Sequence, residues 1–153
     1  MWNPFKKSSA IIAPVKGKIT DITKVKDEAF SSKALGDGFA VYPDSPRIVS
    51  PIDGTVTVVF PSGHAYGIEN DKVEIIVHIG IDTVQLDGEG FHSFVKQGET
   101  VKKGDLLAEV DFKHIEEKGY DPTTVVIISN GLIPELLKSD VIVEEGEDVA
   151  IIK

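Results

Sequence analysis

Two histidines fourteen positions apart, His64 and His78, are the side chains of this sequence best placed to do chemistry. His78 lies in Val73-Glu74-Ile75-Ile76-Val77-His78-Ile79-Gly80-Ile81-Asp82, which alternates. Val73, Ile75, Val77 and Ile79 make one apolar face, while Glu74, Ile76, His78, Gly80 and Asp82 share the other. A strand here turns His78 away from the main core, with Gly80 leaving room around the imidazole. Ser62, His64, Tyr66 and Ile68 share one face of the preceding strand, and Glu69-Asn70-Asp71-Lys72 reads as the turn between them. A three-residue loop at Asn70–Lys72 sets His64 opposite His78, with Cβ atoms ~5 Å apart. A loop of two or four residues sends them to opposite faces. Pairing is the preferred register, because one histidine on each strand of a hairpin is otherwise coincidence. Facing imidazoles permit metal binding, which needs a third ligand such as Asp or Glu. They also permit nucleophilic catalysis, in which a neutral ring nitrogen attacks phosphorus while the second ring donates to the phosphoryl oxygens. Imidazole titrates near neutrality, so the attacking nitrogen is available. Two structural histidines are the third reading, and spacing alone leaves all three open.

The elements that must hold these rings are short bursts of Val and Ile bounded by Gly, Pro, Asp and Asn. Lys18–Ile22, Thr55–Phe60, Val73–Ile79, Leu106–Val110, Val125–Ser129 and Val149–Ile152 read as strands of a sandwich or barrel. Asp27–Lys33, Phe112–Lys118 and Leu132–Lys138 are each expected to make a short helix, the last with Pro134 in its first turn. The expected class is all-β: an antiparallel sandwich or barrel-sandwich hybrid with an internal hairpin repeat and a few short helices. The repeat shows in Ala13-Pro14-Val15-Lys16-Gly17-Lys18-Ile19-Thr20, echoed 37 positions later by Ser50-Pro51-Ile52-Asp53-Gly54-Thr55-Val56-Thr57. A second echo links Val95–Asp105 with Val143–Val149. Swinging-arm carrier domains use similar hairpins, but no lysine sits at such a tip here, so that likeness stops at the fold.

The 153 residues suit one domain, expected over 13–153 behind a flexible segment at 1–12. A net charge of −9 disfavours nucleic acid and favours a partner with a basic face. With no cysteine the chain has no disulfide or thiolate metal site and suits a reducing, cytoplasmic setting. Its apolar runs are far shorter than the ~20 residues that span a bilayer, and no signal peptide is legible.

Val77-His78-Ile79-Gly80-Ile81-Asp82-Thr83-Val84, followed by Leu86 and Gly88-Glu89-Gly90-Phe91, resembles the phosphorylation site of the glucose-class enzyme IIA domains of the bacterial phosphoenolpyruvate-dependent sugar phosphotransferase system. The likeness continues in Gly36-Asp37-Gly38-Phe39-Ala40-Val41, Ser50-Pro51-Ile52-Asp53-Gly54, His64-Ala65-Tyr66-Gly67-Ile68, Val101-Lys102-Lys103-Gly104-Asp105 and Val125–Asn130, so it runs from about Ala13 to Lys153. It implies a flattened antiparallel β-sandwich acting as a phosphotransferase component. His78 would take phosphate from the histidine-containing phosphocarrier protein and pass it to the IIB domain of a sugar permease. His64 would be its neighbour, and Ser62 stands where the family usually has a threonine bonded to that histidine. Asp37 and Asp82 match acidic residues flanking the site, placed to meet arginine on the phosphocarrier. Phe39, Val41, Ile76 and Ile79 are the candidate docking ring, with Gly80 also at the partner-binding face; Ile76 is foremost, because Ile79 alternates with the core face. The scheme needs no cofactor and no Walker loop, of which the sequence has none. No metal is required, although His64 and His78 could form a weak site.

The competing readings are a metal-dependent hydrolase on a related hybrid β fold and a regulatory protein that binds partners through the same face. The hydrolase class typically carries a His-x-His element and a secretion signal, which this sequence lacks. His92 and His114 match no functional position and read as surface or half-buried residues. The start at Met1 suggests a free-standing carrier rather than the tail of a permease, and a monomer is expected. Met1-Trp2-Asn3-Pro4-Phe5-Lys6-Lys7 sets two aromatics beside two lysines, a composition that suits weak contact with an anionic membrane surface.

Overall fold

The Val- and Ile-rich bursts become strands in the computed structural model, which describes residues 10–152. In chain order these are β1 (Ala10–Ile12), β2 (Gly17–Asp21), β3 (Asp37–Pro43), β4 (Arg47–Val49), β5 (Gly54–Val59), β6 (Ala65–Glu69) and β7 (Glu74–Ile79). There follow β8 (Phe91–Ser93), β9 (Thr100–Val101), β10 (Leu106–Val110), β11 (Thr124–Ile128), β12 (Pro134–Leu136), β13 (Val141–Val143) and β14 (Asp148–Ile152). All pairings are antiparallel. Eight strands form one sheet in the order β13-β2-β3-β11-β7-β6-β5-β9, and two three-stranded sheets, β1-β14-β12 and β4-β10-β8, complete the fold. One core joins them, drawing Ile11, Val149 and Ile152 from the first small sheet, Ile48 and Leu107 from the second, and Ile19, Phe39, Tyr66, Ile75, Val77 and Val126 from the large one. The all-β class is thereby shown.

The outer face of the large sheet is covered as well. A 3₁₀ turn, Ile22–Lys24, and a short helix, Glu28–Ser31, lie over β3, β11 and β7, burying Ile22, Val25, Phe30, Ala40, Ile81, Val125 and Ile127. That is why β11 is buried at every position, whereas β7, only partly covered, alternates. A strand with cover on both faces reads as a continuous apolar run.

Two sequence expectations are corrected by pairing. Leu132–Lys138 makes no helix: its centre, Pro134–Leu136, pairs with Ile152–Ala150 of β14 and Leu136 packs on the core. Proline is tolerated there because β12 is an edge strand. Ala10–Ile12, expected within a flexible segment, is instead strand β1, buried and paired with β14. The membrane-contact reading of Met1–Lys7 lies outside the described residues. The second echo reappears as matched turns: Glu99 Oε1 accepts from the Lys96 amide at 2.6 Å, and Glu147 Oε1 from the Glu144 amide at 3.1 Å.

Candidate active site

His78 stands on β7 in the middle of the large sheet, level with Val125 of β11 and Ala40 of β3. Its ring points to the outer face, as the alternation requires, and is half-buried against Phe30, with centroids 5.1 Å apart. Asn70 sets the hairpin register. Its Oδ1 accepts from the amides of Lys72 and Val73, and its own amide donates to the Val73 carbonyl, closing a four-residue turn rather than three. Ala65 therefore stands opposite His78. Strict alternation would then send His64 to the other face, but His64 precedes β6 and lies on a bend after Gly63, whose φ is +73°. The bend carries the ring around the sheet end, so the two imidazoles meet edge to face, 5.2 Å apart at 81°.

Each ring is held at one nitrogen. His78 Nδ1 lies 2.8 Å from the Gly80 carbonyl. A carbonyl only accepts, so Nδ1 carries the proton and Nε2 keeps its lone pair. His64 Nδ1 is hydrogen-bonded to Ser62 Oγ, and Phe60 packs on the His64 ring at 5.4 Å. Burial, and then the neighbouring His78, lower the His64 pKa to about 4, so this ring is neutral at neutral pH. Burial also lowers the His78 pKa, against the Gly80 carbonyl and the carboxylates of Asp27 and Asp82, which favour its charged form.

The remaining expected residues divide. Asp82 is exposed beside His78, and Ile76 is half-buried at the edge of the outer cluster. Phe39 and Val41 are fully buried on the inner face of β3, so they belong to the core and cannot form a docking ring. Asp37 pairs with Ile128 at the far end of β3 and bonds Lys33 and the Gly38 amide. Three residues along a strand separate its row from that of His78, a distance of ~10 Å. Asp27, like Asp82, is a carboxylate whose charge reaches His78. It caps the Glu28–Ser31 helix by accepting from the Ala29 amide, which holds it near His78. Gly80 is needed for a different reason than room around the imidazole. Its φ is +81°, and a Cβ there would collide with Thr83 Cγ2.

Asp27, Phe30 and Phe60 were not anticipated. The first two had a signal, since Asp27 heads a helical stretch whose one large apolar residue is Phe30; Phe60 had only its nearness to Ser62 and His64. His114 pairs with Glu89 at 2.7 Å and His92 is exposed, neither touching the site. Among the described residues no group of three or more His, Cys, Asp or Glu is arranged to hold a metal ion, so the hydrolase reading finds no ligand set. Among the same residues no helix is long and apolar enough to cross a membrane.

Residues 9–132 match the family model for the phosphoenolpyruvate-dependent sugar phosphotransferase system, EIIA 1. The glucose-specific EIIA component of Mycoplasma capricolum is 42% identical over the whole of both chains. The solved structure of glucose permease IIA from that organism superposes with a TM-score of 0.90 at 41% identity, covering 100% of each chain. A β-glucoside-specific EIIBCA component of Halalkalibacterium halodurans is 48% identical over 78% of this chain, which spans only 19% of that relative's length. These matches support neither the hydrolase nor the regulator reading.

Proposed function

This chain belongs to the EIIA 1 family of the phosphoenolpyruvate-dependent sugar phosphotransferase system, and from that premise we propose that it is a phosphoryl carrier using Nε2 of His78. The observation that carries the assignment is the 2.8 Å contact of His78 Nδ1 with the Gly80 carbonyl, which leaves Nε2 unprotonated beside a second, neutral imidazole.

The donor is a phosphohistidine on the histidine-containing phosphocarrier protein. As the Nε2 lone pair forms the new P–N bond, the donor's P–N bond breaks and its electron pair returns to the donor ring. His78 keeps its Nδ1 proton, so the phosphorylated ring is cationic, and the Gly80 carbonyl, Asp27 and Asp82 stabilise that charge. Retained charge also makes the ring a good leaving group, so the same bond opens readily toward the IIB domain of a sugar permease. Ser62 donates its hydroxyl hydrogen to His64 Nδ1, which places the other ring proton on Nε2, free to bond the phosphoryl oxygens. Phosphoryl transfer of this kind is driven by positioning and electrostatics rather than by a base. No cofactor enters the scheme.

Relatives of glucose and β-glucoside specificity match alike, at 42% and 48% identity, which supports a carrier role common to permeases of different sugars. We place the protein in the cytoplasm as a monomer, with Asp27, Asp82 and Ile76 at the rim that meets the phosphocarrier. Weak membrane contact through Met1–Lys7 is part of the same proposal. The test is incubation with phosphoenolpyruvate and the two general relay proteins: one acid-labile, base-stable phosphate is expected per chain, and none in His78→Ala. Phosphate on serine or threonine, or persisting in His78→Ala, would reject the reading.

A further inference from the structure

The carrier scheme leaves Thr83, a buried polar residue packed against Gly80, without a task. Thr83 is fully buried, and its Oγ1 donates to the Ile79 carbonyl at 2.5 Å. Its Cγ2 occupies the space that a Cβ on Gly80 would need. Ile79 is the residue through which both histidines are spaced. Its amide donates to the His64 carbonyl at 2.7 Å, and the next carbonyl along the chain, that of Gly80, is the one that meets His78 Nδ1. The Gly80 and Ile81 amides are tied in turn to the carbonyls of Thr123 and Asp121, at 3.0 and 2.9 Å. The Ile79 carbonyl is therefore the point of this turn held by a side chain, and a buried hydroxyl has no water to exchange for that bond.

We propose that Thr83 is a positioning residue: by holding the Ile79 carbonyl and packing beneath Gly80, it aims the Gly80 carbonyl at His78 Nδ1 and so keeps Nε2 as the attacking nitrogen. A free imidazole shares its proton between its two nitrogens, and only the unprotonated one can attack. Loss of the clamp lets the Gly80 carbonyl turn away and the proton redistribute, which removes part of the reactive population before any partner arrives. The inference rests on the carrier reading and adds to it the device that selects the nucleophilic nitrogen.

Two substitutions separate the parts of the threonine. Thr83→Val keeps the branched shape and removes the donor; Thr83→Ser keeps the donor and removes the methyl. The primary readout is the ring ¹⁵N spectrum of His78 in the unphosphorylated full chain, with the initial rate of phosphate acceptance measured alongside. In the wild type the Nδ1–H tautomer should dominate. Thr83→Val should show a mixture of tautomers and accept phosphate ~10-fold or more slowly, since small displacements of reacting groups carry costs of that order. Thr83→Ser should keep the wild-type tautomer and most of the rate. A wild-type tautomer ratio in Thr83→Val, a slowed rate with that ratio unchanged, or equal behaviour of the two variants would overturn the proposal. Should Thr83→Val fail to fold, Thr83→Ala, which sets no methyl against the Ile79 carbonyl, is read by the same criteria. Failure of the wild type to accept phosphate on His78 would instead sink the carrier reading, while the tautomer comparison would still decide the role of Thr83.

Discussion

Replacing Gly80 by alanine tests how tightly the turn behind His78 is built. Gly80 has φ +81°, a conformation costing an L-residue ~1–2 kcal/mol. Its new Cβ would also collide with Thr83 Cγ2 and come within 3.2 Å of the Asp121 carbonyl oxygen, so neighbours on two sides must give way. Overpacking of that kind costs ~1–3 kcal/mol. Gly80→Ala should therefore lose about 2–5 kcal/mol in urea unfolding, read as a lowered midpoint at constant slope. Gly119 supplies the control: its φ is +88°, but nothing lies within 4 Å of its missing Cβ, so Gly119→Ala bears the conformational cost of ~1–2 kcal/mol alone. Gly80→Ala should also slow phosphate acceptance, whereas Gly119→Ala should leave it unchanged. Equal stability losses in the two variants would refute the claim that Thr83 and the Asp121 carbonyl close the space beneath Gly80.

His64 makes stability depend on pH. Its folded pKa of about 4 lies below its ordinary 6.5, so the unfolded chain binds its proton first. The contribution is full above pH ~6.5 and disappears as the pH falls toward 4, an effect of ~3 kcal/mol at most. The loss measured between those values should shrink in His64→Gln, and identical pH profiles for the two proteins would exclude His64 as the cause. The same variant keeps a donor, so acceptance by His78 should survive while onward transfer to the IIB domain slows. A lost transition-state donor is worth ~10²–10³ in rate, and unchanged rates in both directions would remove His64 from the mechanism. Asp82→Asn should reduce the on-rate of the phosphocarrier's docking and its salt dependence more than Glu145→Gln does, because Glu145 is already paired with Arg47. Stopped-flow binding at two ionic strengths checks this, and equal effects would argue for diffuse charge.

The alternation of Val73–Ile79 made both the strand and the outward aim of His78 legible, because period two maps directly onto the faces of a strand. What alternation cannot carry is behaviour at strand ends. His64 reaches His78 by a bend outside β6, and the turn length was decided by Asn70 bonding its own backbone. Phe39 and Val41 looked available because Gly-Asp-Gly-Phe-Ala-Val matches a motif, yet they stand on the inner face of a strand covered on both sides. The cover itself, Ile22–Ser31, is made of short pieces with weak periodicity, and so Asp27 and Phe30 were missed. Pro134 read as a helix start and serves as an edge-strand residue instead, since only the pairing with β14 distinguishes the two.

The central claim is that His78 carries phosphate on Nε2 while Nδ1 keeps its proton and donates it to the Gly80 carbonyl. It is tested most directly by ¹⁵N and ³¹P NMR of the ring-labelled protein, phosphorylated through the relay and kept under non-acidic conditions. One phosphorus coupled to Nε2 of His78, with a protonated Nδ1, is the result the geometry requires. Phosphorus coupled to Nδ1, or to any nitrogen of His64, would contradict it.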